Sequence, residues 1–186
     1  MDYSINKYFT PTECSDILNY CMQIGEIFNY NPNENWDCRR IYVDEFKETI
    51  LNKFKKLYSI GDTSYWFDFN KFDVKNINIS LTRYYDGRFL NLHKDSTSQF
   101  TTVILLTNEF SDGRFVLSNL QGNDIKDMRN DSDKISLGLG YGISFDGAKI
   151  FHGVMPVNSG IRCALNVWMT DTNYNYHKLK NNKTLI

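Results

Sequence analysis

The sequence predicts an α+β domain, with short β-strands forming a sandwich or barrel backed by N-terminal helices. Three observations lead there. Apolar residues recur at helical spacing through the first third of the chain. Short alternating and β-branched runs fill the last two thirds. Asp-Gly and Ser-Gly pairs separate those runs as turns. Helices first and many short strands afterwards is the order expected of this class.

The first helix opens at Thr10-Pro11-Thr12-Glu13, a capping box with proline at the first helical position. The threonine hydroxyl and the glutamate carboxylate there each satisfy a backbone N–H that the helix leaves without a partner. Ile17, Leu18, Cys21 and Met22 form one apolar stripe. Residues 29–40, NYNPNENWDCRR, read as a polar loop. A second helix fits 44–59, where Phe46, Ile50, Phe54 and Leu57 recur at helical spacing. Ile77, Ile79 and Leu81 then alternate with Asn78, Ser80 and Thr82, the period of a half-buried strand. Further strands are expected at TTVILLT (101–107), RFVLS (114–118), KISLG (134–138), GISFD (142–146), KIFHGV (149–154) and IRCALNVWM (161–169). Turns fall at Asp86-Gly87, Asp112-Gly113, Asp146-Gly147 and Ser159-Gly160. Residues 119–133 are long and polar and read as a mobile loop. With no internal repeat or low-complexity linker, residues 1–186 read as one domain. Helical support covers about 10–60, a strand core about 77–170, and a polar tail 171–186.

Composition narrows the function classes. A chain of 186 residues buries roughly 70% of its unfolded surface. The 21 basic and 22 acidic residues nearly cancel, so no general nucleic-acid footprint is present. No apolar run approaches the length of a membrane span, and MDYSINKYFT lacks the pattern of a signal peptide. Cys14, Cys21, Cys38 and Cys163 form no CxxC pair and no metal-finger spacing, which reads as reduced thiols in a cytoplasmic protein. The expectation is therefore a cytoplasmic protein with neither nucleic acid nor membrane as partner.

Chemistry enters at LNLHKDS, residues 90–96. In a strand, positions i and i+2 point the same way, so His93 and Asp95 reach one ion together while Lys94 turns away. The chain has two other histidines. His177 sits in a polar tail and reads as solvated. His152 ends the predicted strand KIFH and is followed by glycine. With His93 and Asp95 it makes two imidazoles and one carboxylate, the facial set that leaves open positions on a non-haem ferrous ion. A zinc hydrolase also uses three ligands and a water, so the triad alone does not choose.

Arg162 bears on that choice. In IRCALNVWM it shares a face with Ala164, Asn166 and Trp168. If that face points inward, an unpaired guanidinium is costly. Its answer is a distant acid or a ligand carboxylate held by the planar fork. It follows His152 by ten residues.

Taken together, the segment from about Ile77 to Met169 resembles the 2-oxoglutarate and Fe(II)-dependent oxygenases, in their prolyl 4-hydroxylase-like branch. YYDGRFLNLHKD carries that branch's tyrosine, glycine and HxD as Tyr84, Gly87, His93 and Asp95. FHGVMPVNSGIR carries the second histidine, a Pro-Val pair, a glycine and a basic residue as His152, Pro156, Val157, Gly160 and Arg162. Trp168 falls six beyond the arginine, where the family often has tryptophan. The opening helix, FTPTECSDIL, is similar as well.

The resemblance implies a double-stranded β-helix, the cupin-like jelly roll, with flanking N-terminal helices. It implies His93, Asp95 and His152 as iron ligands and Arg162 as the holder of the distal carboxylate of 2-oxoglutarate. It further implies hydrogen bonds to that co-substrate from Tyr84 and Asn166, with Thr102 lining the same pocket and Trp168 packed beside the ligands. Dioxygen would be the oxidant and ascorbate (vitamin C) the reductant. The expected activity is hydroxylation of a proline in a peptide or protein, as in the procollagen-proline dioxygenases, coupled to decarboxylation of 2-oxoglutarate. The alternatives are hydroxylation of a free amino acid or other small molecule, a metal-binding module without turnover, and a zinc hydrolase. Substrate identity and oligomeric state are left open.

The sequence departs from the family at four places. Leu106 stands where a tyrosine often ends the TTVILLT-like strand, Leu90 replaces another tyrosine, and Asp112-Gly113 replaces a double glycine. Arg162 replaces the lysine of collagen-type members.

Overall fold

The computed structural model describes residues 3–24, 39–42, 44–58, 69, 72–85, 87–95, 98–118 and 133–170. Most of the 29–40 segment, nearly all of 119–133, the tail with His177, and Cys38 lie outside the described residues.

The strands are β1 (Tyr3–Lys7), β2 (Arg39–Tyr42), β3 (Ile77–Tyr84), β4 (Leu90–His93), β5 (Phe100–Leu105), β6 (Phe110–Asp112), β7 (Phe115–Ser118), β8 (Asp133–Ile135), β9 (Tyr141–Phe145), β10 (Phe151–Val154), β11 (Val157–Gly160) and β12 (Arg162–Met169). The helices are α1 (Pro11–Ile24) and α2 (Lys47–Tyr58). A six-stranded sheet runs β1-β9-β5-β12-β3-β2, a four-stranded sheet β4-β10-β7-β8, and β11 pairs with β6. The paired strands are antiparallel. One apolar cluster joins the two larger sheets, with Tyr84, Val103, Ile143, Phe145 and Ala164 from one and Phe115, Leu117, Ile135 and Val154 from the other. This is the predicted jelly roll.

The helices cover the other face of the six-stranded sheet. Cys14, Ile17 and Cys21 of α1 and Ile50, Leu51 and Phe54 of α2 pack on Ile77, Ile79, Leu81, Leu165, Val167 and Met169. Phe54 is wholly buried, with ring centroids 5.3 Å from Tyr8 and 5.5 Å from Phe100. Burying a side chain of this kind contributes about 1.5–3 kcal/mol. The capping box forms as predicted: Glu13 N–H donates to Thr10 Oγ1 at 3.3 Å, and Thr10 N–H to Glu13 Oε2 at 2.8 Å.

Three expectations change. The strand at 77–84 is not half-buried, because Asn78, Ser80 and Thr82 are buried too. Their face looks into the space between the sheets rather than to water. The segment read as a loop ends in β2, which pairs with β3. Strands β1, β6 and β11 were not expected; each has five residues or fewer.

Candidate metal centre

Two strands of the smaller sheet bring the histidines together. His93 ends β4 and stands directly opposite His152 of β10. Their ring centroids are 4.3 Å apart. Asp95 lies just past the end of β4, not in the strand as expected. Its backbone N–H donates to Gly147 O at 2.8 Å, which fixes the extension. Asp95 Oδ1 is 3.9 Å from His93 Nε2, and Oδ2 is 3.7 Å from His152 Nε2. One ligand atom from each of the three lies within 4.8 Å of the others.

Both imidazoles are oriented by their second nitrogen. His93 Nδ1 lies 3.0 Å from Asn91 O, and His152 Nδ1 3.0 Å from Ile150 O. A carbonyl only accepts, so Nδ1 carries the proton and Nε2 presents its lone pair toward Asp95. Burial pushes the His152 pKa down to about 4, against the upward pull of Asp95. The ring is therefore neutral and ready to ligate without expelling a proton. Its ring packs 4.7 Å from Phe145.

The larger sheet holds Asp95. Thr101 Oγ1 donates to Asp95 Oδ2 at 2.6 Å, and Trp168 Nε1 donates to the same oxygen at 3.1 Å. Oδ1 carries no hydrogen bond among the described residues, which leaves it free for an ion. Gly147 makes the close approach possible: a Cβ there would collide with Thr101 Oγ1 and Asp95 Oδ2. Thr101 was not singled out in the sequence, and Gly147 was read there only as a turn residue.

At the far end of β12, Arg162 is 2% exposed. It stands opposite Tyr84, with its guanidinium 5.6 Å from the centre of that ring. No acid among the described residues pairs with it, and Nη1 is buried without a hydrogen-bond partner. Burial lowers its pKa. Gly113 makes room for the stem, since a Cβ there would come within 3.1 Å of Arg162 Cδ.

The remaining candidates divide. Tyr84 shares the Arg162 end of the inner face. Asn166 lies on that face too, but its amide N–H groups are engaged: Nδ2 donates to Thr82 Oγ1 at 2.9 Å and to Ser80 O at 3.4 Å. Thr102 is a correction. It points to the helix-covered face, where its hydroxyl lies 2.8 Å from Ser144 Oγ, which is 2.7 Å from Tyr8 OH. Strand parity places Thr101, not Thr102, toward Asp95. Leu106 likewise joins the helix-side cluster.

A double-stranded β-helix with two histidines and an aspartate between its sheets is the class that fold and site define. No protein-family model and no curated protein sequence matches the chain. Solved structures do. A prolyl-4-hydroxylase from Pseudomonas putida superposes with a TM-score of 0.63 at 14% identity, over 90% of this chain and 91% of that one. A 2OG-Fe(II) oxygenase-family oxidoreductase from Burkholderia pseudomallei gives 0.62 at 21%, over 92% and 86%. A prolyl hydroxylase from Trichoplax adhaerens, in complex with a hypoxia inducible factor peptide fragment, gives 0.61 at 16%, over 91% and 83%. At these identities the likeness is one of fold.

Proposed function

We propose that the protein is an Fe(II)- and 2-oxoglutarate-dependent dioxygenase that hydroxylates a prolyl residue in a peptide or protein. The observation that carries the reading is Arg162, a buried guanidinium without an acid, on the inner face of the strand whose other end holds a metal ligand. A buried unpaired cation calls for an anion, and a diacid bound to the metal supplies one at the right end.

The donor set fits the ion. Two imidazoles and one carboxylate leave open positions on ferrous iron. Iron, when bound, supplies the oxidation by dioxygen that couples 2-oxoglutarate decarboxylation to C–H hydroxylation. The chain does the rest. His93, Asp95 and His152 hold the ion. Thr101 and Trp168 occupy Asp95 Oδ2 and so aim Oδ1. Arg162 receives the distal carboxylate in a bidentate pair, regaining what its burial costs. The Tyr84 ring lies beside it, 5.6 Å from the guanidinium. Phe115 and Phe145 keep water from the His152 side.

Two features support a macromolecular substrate. The His93 side chain is 39% exposed while that of His152 is 5%, so the centre opens on one side. Two of the similar structures are prolyl hydroxylases, one with a peptide bound. The buried free thiols Cys14, Cys21 and Cys163 support a reducing compartment such as the cytoplasm. No described helix is long and apolar enough to cross a membrane.

The test is succinate formation from 2-oxoglutarate with Fe(II) and ascorbate as reductant, in wild type, Arg162→Ala and His152→Ala. Turnover should vanish in the histidine variant and fall steeply in the arginine variant. Retention of full turnover by Arg162→Ala would falsify the assigned co-substrate contact. Mass spectrometry of proline peptides and free amino acids then separates the substrates by the gain of one oxygen.

A further inference from the structure

Arg162 lines a cavity of about 230 Å³, together with Leu105, Phe115 and Leu137 among others. None of the three metal-ligating residues lines it. Phe115 stands between, with its ring 6.1 Å from the His152 imidazole. The guanidinium that would grip the distal carboxylate is thus backed by open space. A water's share of liquid volume is about 30 Å³, so the space exceeds what a guanidinium needs.

No acid holds Arg162 in place among the described residues, and its guanidinium meets only the Tyr84 ring, 5.6 Å away. The nearest acid on the cavity wall, Asp112, is taken by Arg114, whose Nε donates to Oδ1 at 2.9 Å. The stem of Arg162 passes Gly113, which offers no side chain to block it. A long, flexible cation beside a void has a second position available at little steric cost.

We propose that the site admits 2-oxo diacids one methylene longer than 2-oxoglutarate, Arg162 retreating into the cavity to receive the displaced carboxylate. The proposal rests on the co-substrate reading above and extends it to chain-length tolerance. A rigid pocket discriminates one methylene by about 10–200-fold. Here the discrimination falls below that range.

Calorimetric titration of the Zn(II)-substituted protein tests this without turnover. 2-Oxoglutarate and 2-oxoadipate should bind within about tenfold of each other, below the rejection expected of a fixed wall. Leu105→Phe fills the cavity beside Arg162. It should weaken 2-oxoadipate by about tenfold or more while leaving 2-oxoglutarate nearly unchanged. Leu137→Phe repeats the filling from another segment if Leu105→Phe unfolds. A wild-type preference for 2-oxoglutarate beyond about tenfold overturns the proposal. So does a filled cavity that weakens both acids equally. If the Zn(II) protein binds neither acid, the dioxygenase reading falls with it; if it binds 2-oxoglutarate alone, only the tolerance falls.

Discussion

Trp168 donates its indole N–H to Asp95 Oδ2 at 3.1 Å, although 73 residues separate them in the chain. The bond ties the last rungs of β12 in the larger sheet to the carboxylate that completes the histidine pair of the smaller one. The candidate metal ligands are thus held from both sheets.

Trp168→Phe keeps an aromatic ring and removes only the donor. Metal affinity should fall by about 10–100-fold, the usual cost of losing a partner of a ligand. Competition titration with a chromophoric chelator measures it, and an unchanged far-ultraviolet circular dichroism spectrum separates the effect from unfolding.

Gly147→Ala should be more damaging than its size suggests. The added methyl has no place but that of the Thr101 hydroxyl and the Asp95 carboxylate. The protein should stay folded, since the site lies in a turn at one end of the sandwich, yet bind metal far more weakly than wild type. Wild-type affinity in this variant would mean that Asp95 is not positioned as described.

Stability of the metal-free protein should depend on pH through His152. Its pKa is about 4 when folded against 6.5 for an ordinary histidine. Above pH 6.5 the ring is neutral in both states and nothing is lost. As pH falls below 6.5 the unfolded chain takes up a proton that the folded one refuses, so stability declines, levelling off below about 4. The total is about 3 kcal/mol. Urea denaturation between pH 7 and 4 reads it, and His152→Asn should flatten that part of the profile.

Arg162→Met should separate stability from function. Removing a buried, unpaired charge should leave the ligand-free protein as stable as wild type or about 1–3 kcal/mol more so. Binding of 2-oxoglutarate to the Zn(II) form should disappear. A large loss of stability instead would show that the guanidinium is satisfied within the fold.

The helices, most strands and the His93, Asp95 and His152 cluster were legible in the sequence, each for a local reason. Thr10 and Glu13 cap their own helix. His93 and Asp95 sit two apart, and His152 was the one other histidine placed on a predicted strand. What failed was facing. In TTVILLT every residue suits a buried strand, so nothing local says which threonine turns inward. Only the register of β5 against β12, with Thr101 opposite Trp168, decides it. Asn78, Ser80 and Thr82 look solvent-bound because their polarity mimics an outer face. They are buried instead, where Asn166 Nδ2 donates to Thr82 Oγ1 and Ser80 O. Gly147 was read as a turn residue, and its closeness to Asp95 depends on contacts remote in sequence.

Strand β12 also works as a ruler. Trp168 and Arg162 are six residues apart on one face, flanked on both sides by paired strands. The span from the Asp95 carboxylate, held by Trp168, to the guanidinium is thereby set by a paired central strand, indifferent to the length of any loop. Surrounding segments can lengthen, shorten or diverge while the distance between these two side chains stays fixed. Inserting or deleting one residue between positions 162 and 168 would turn one of the two side chains to the opposite face, so the chain's tolerance for change should stop abruptly there.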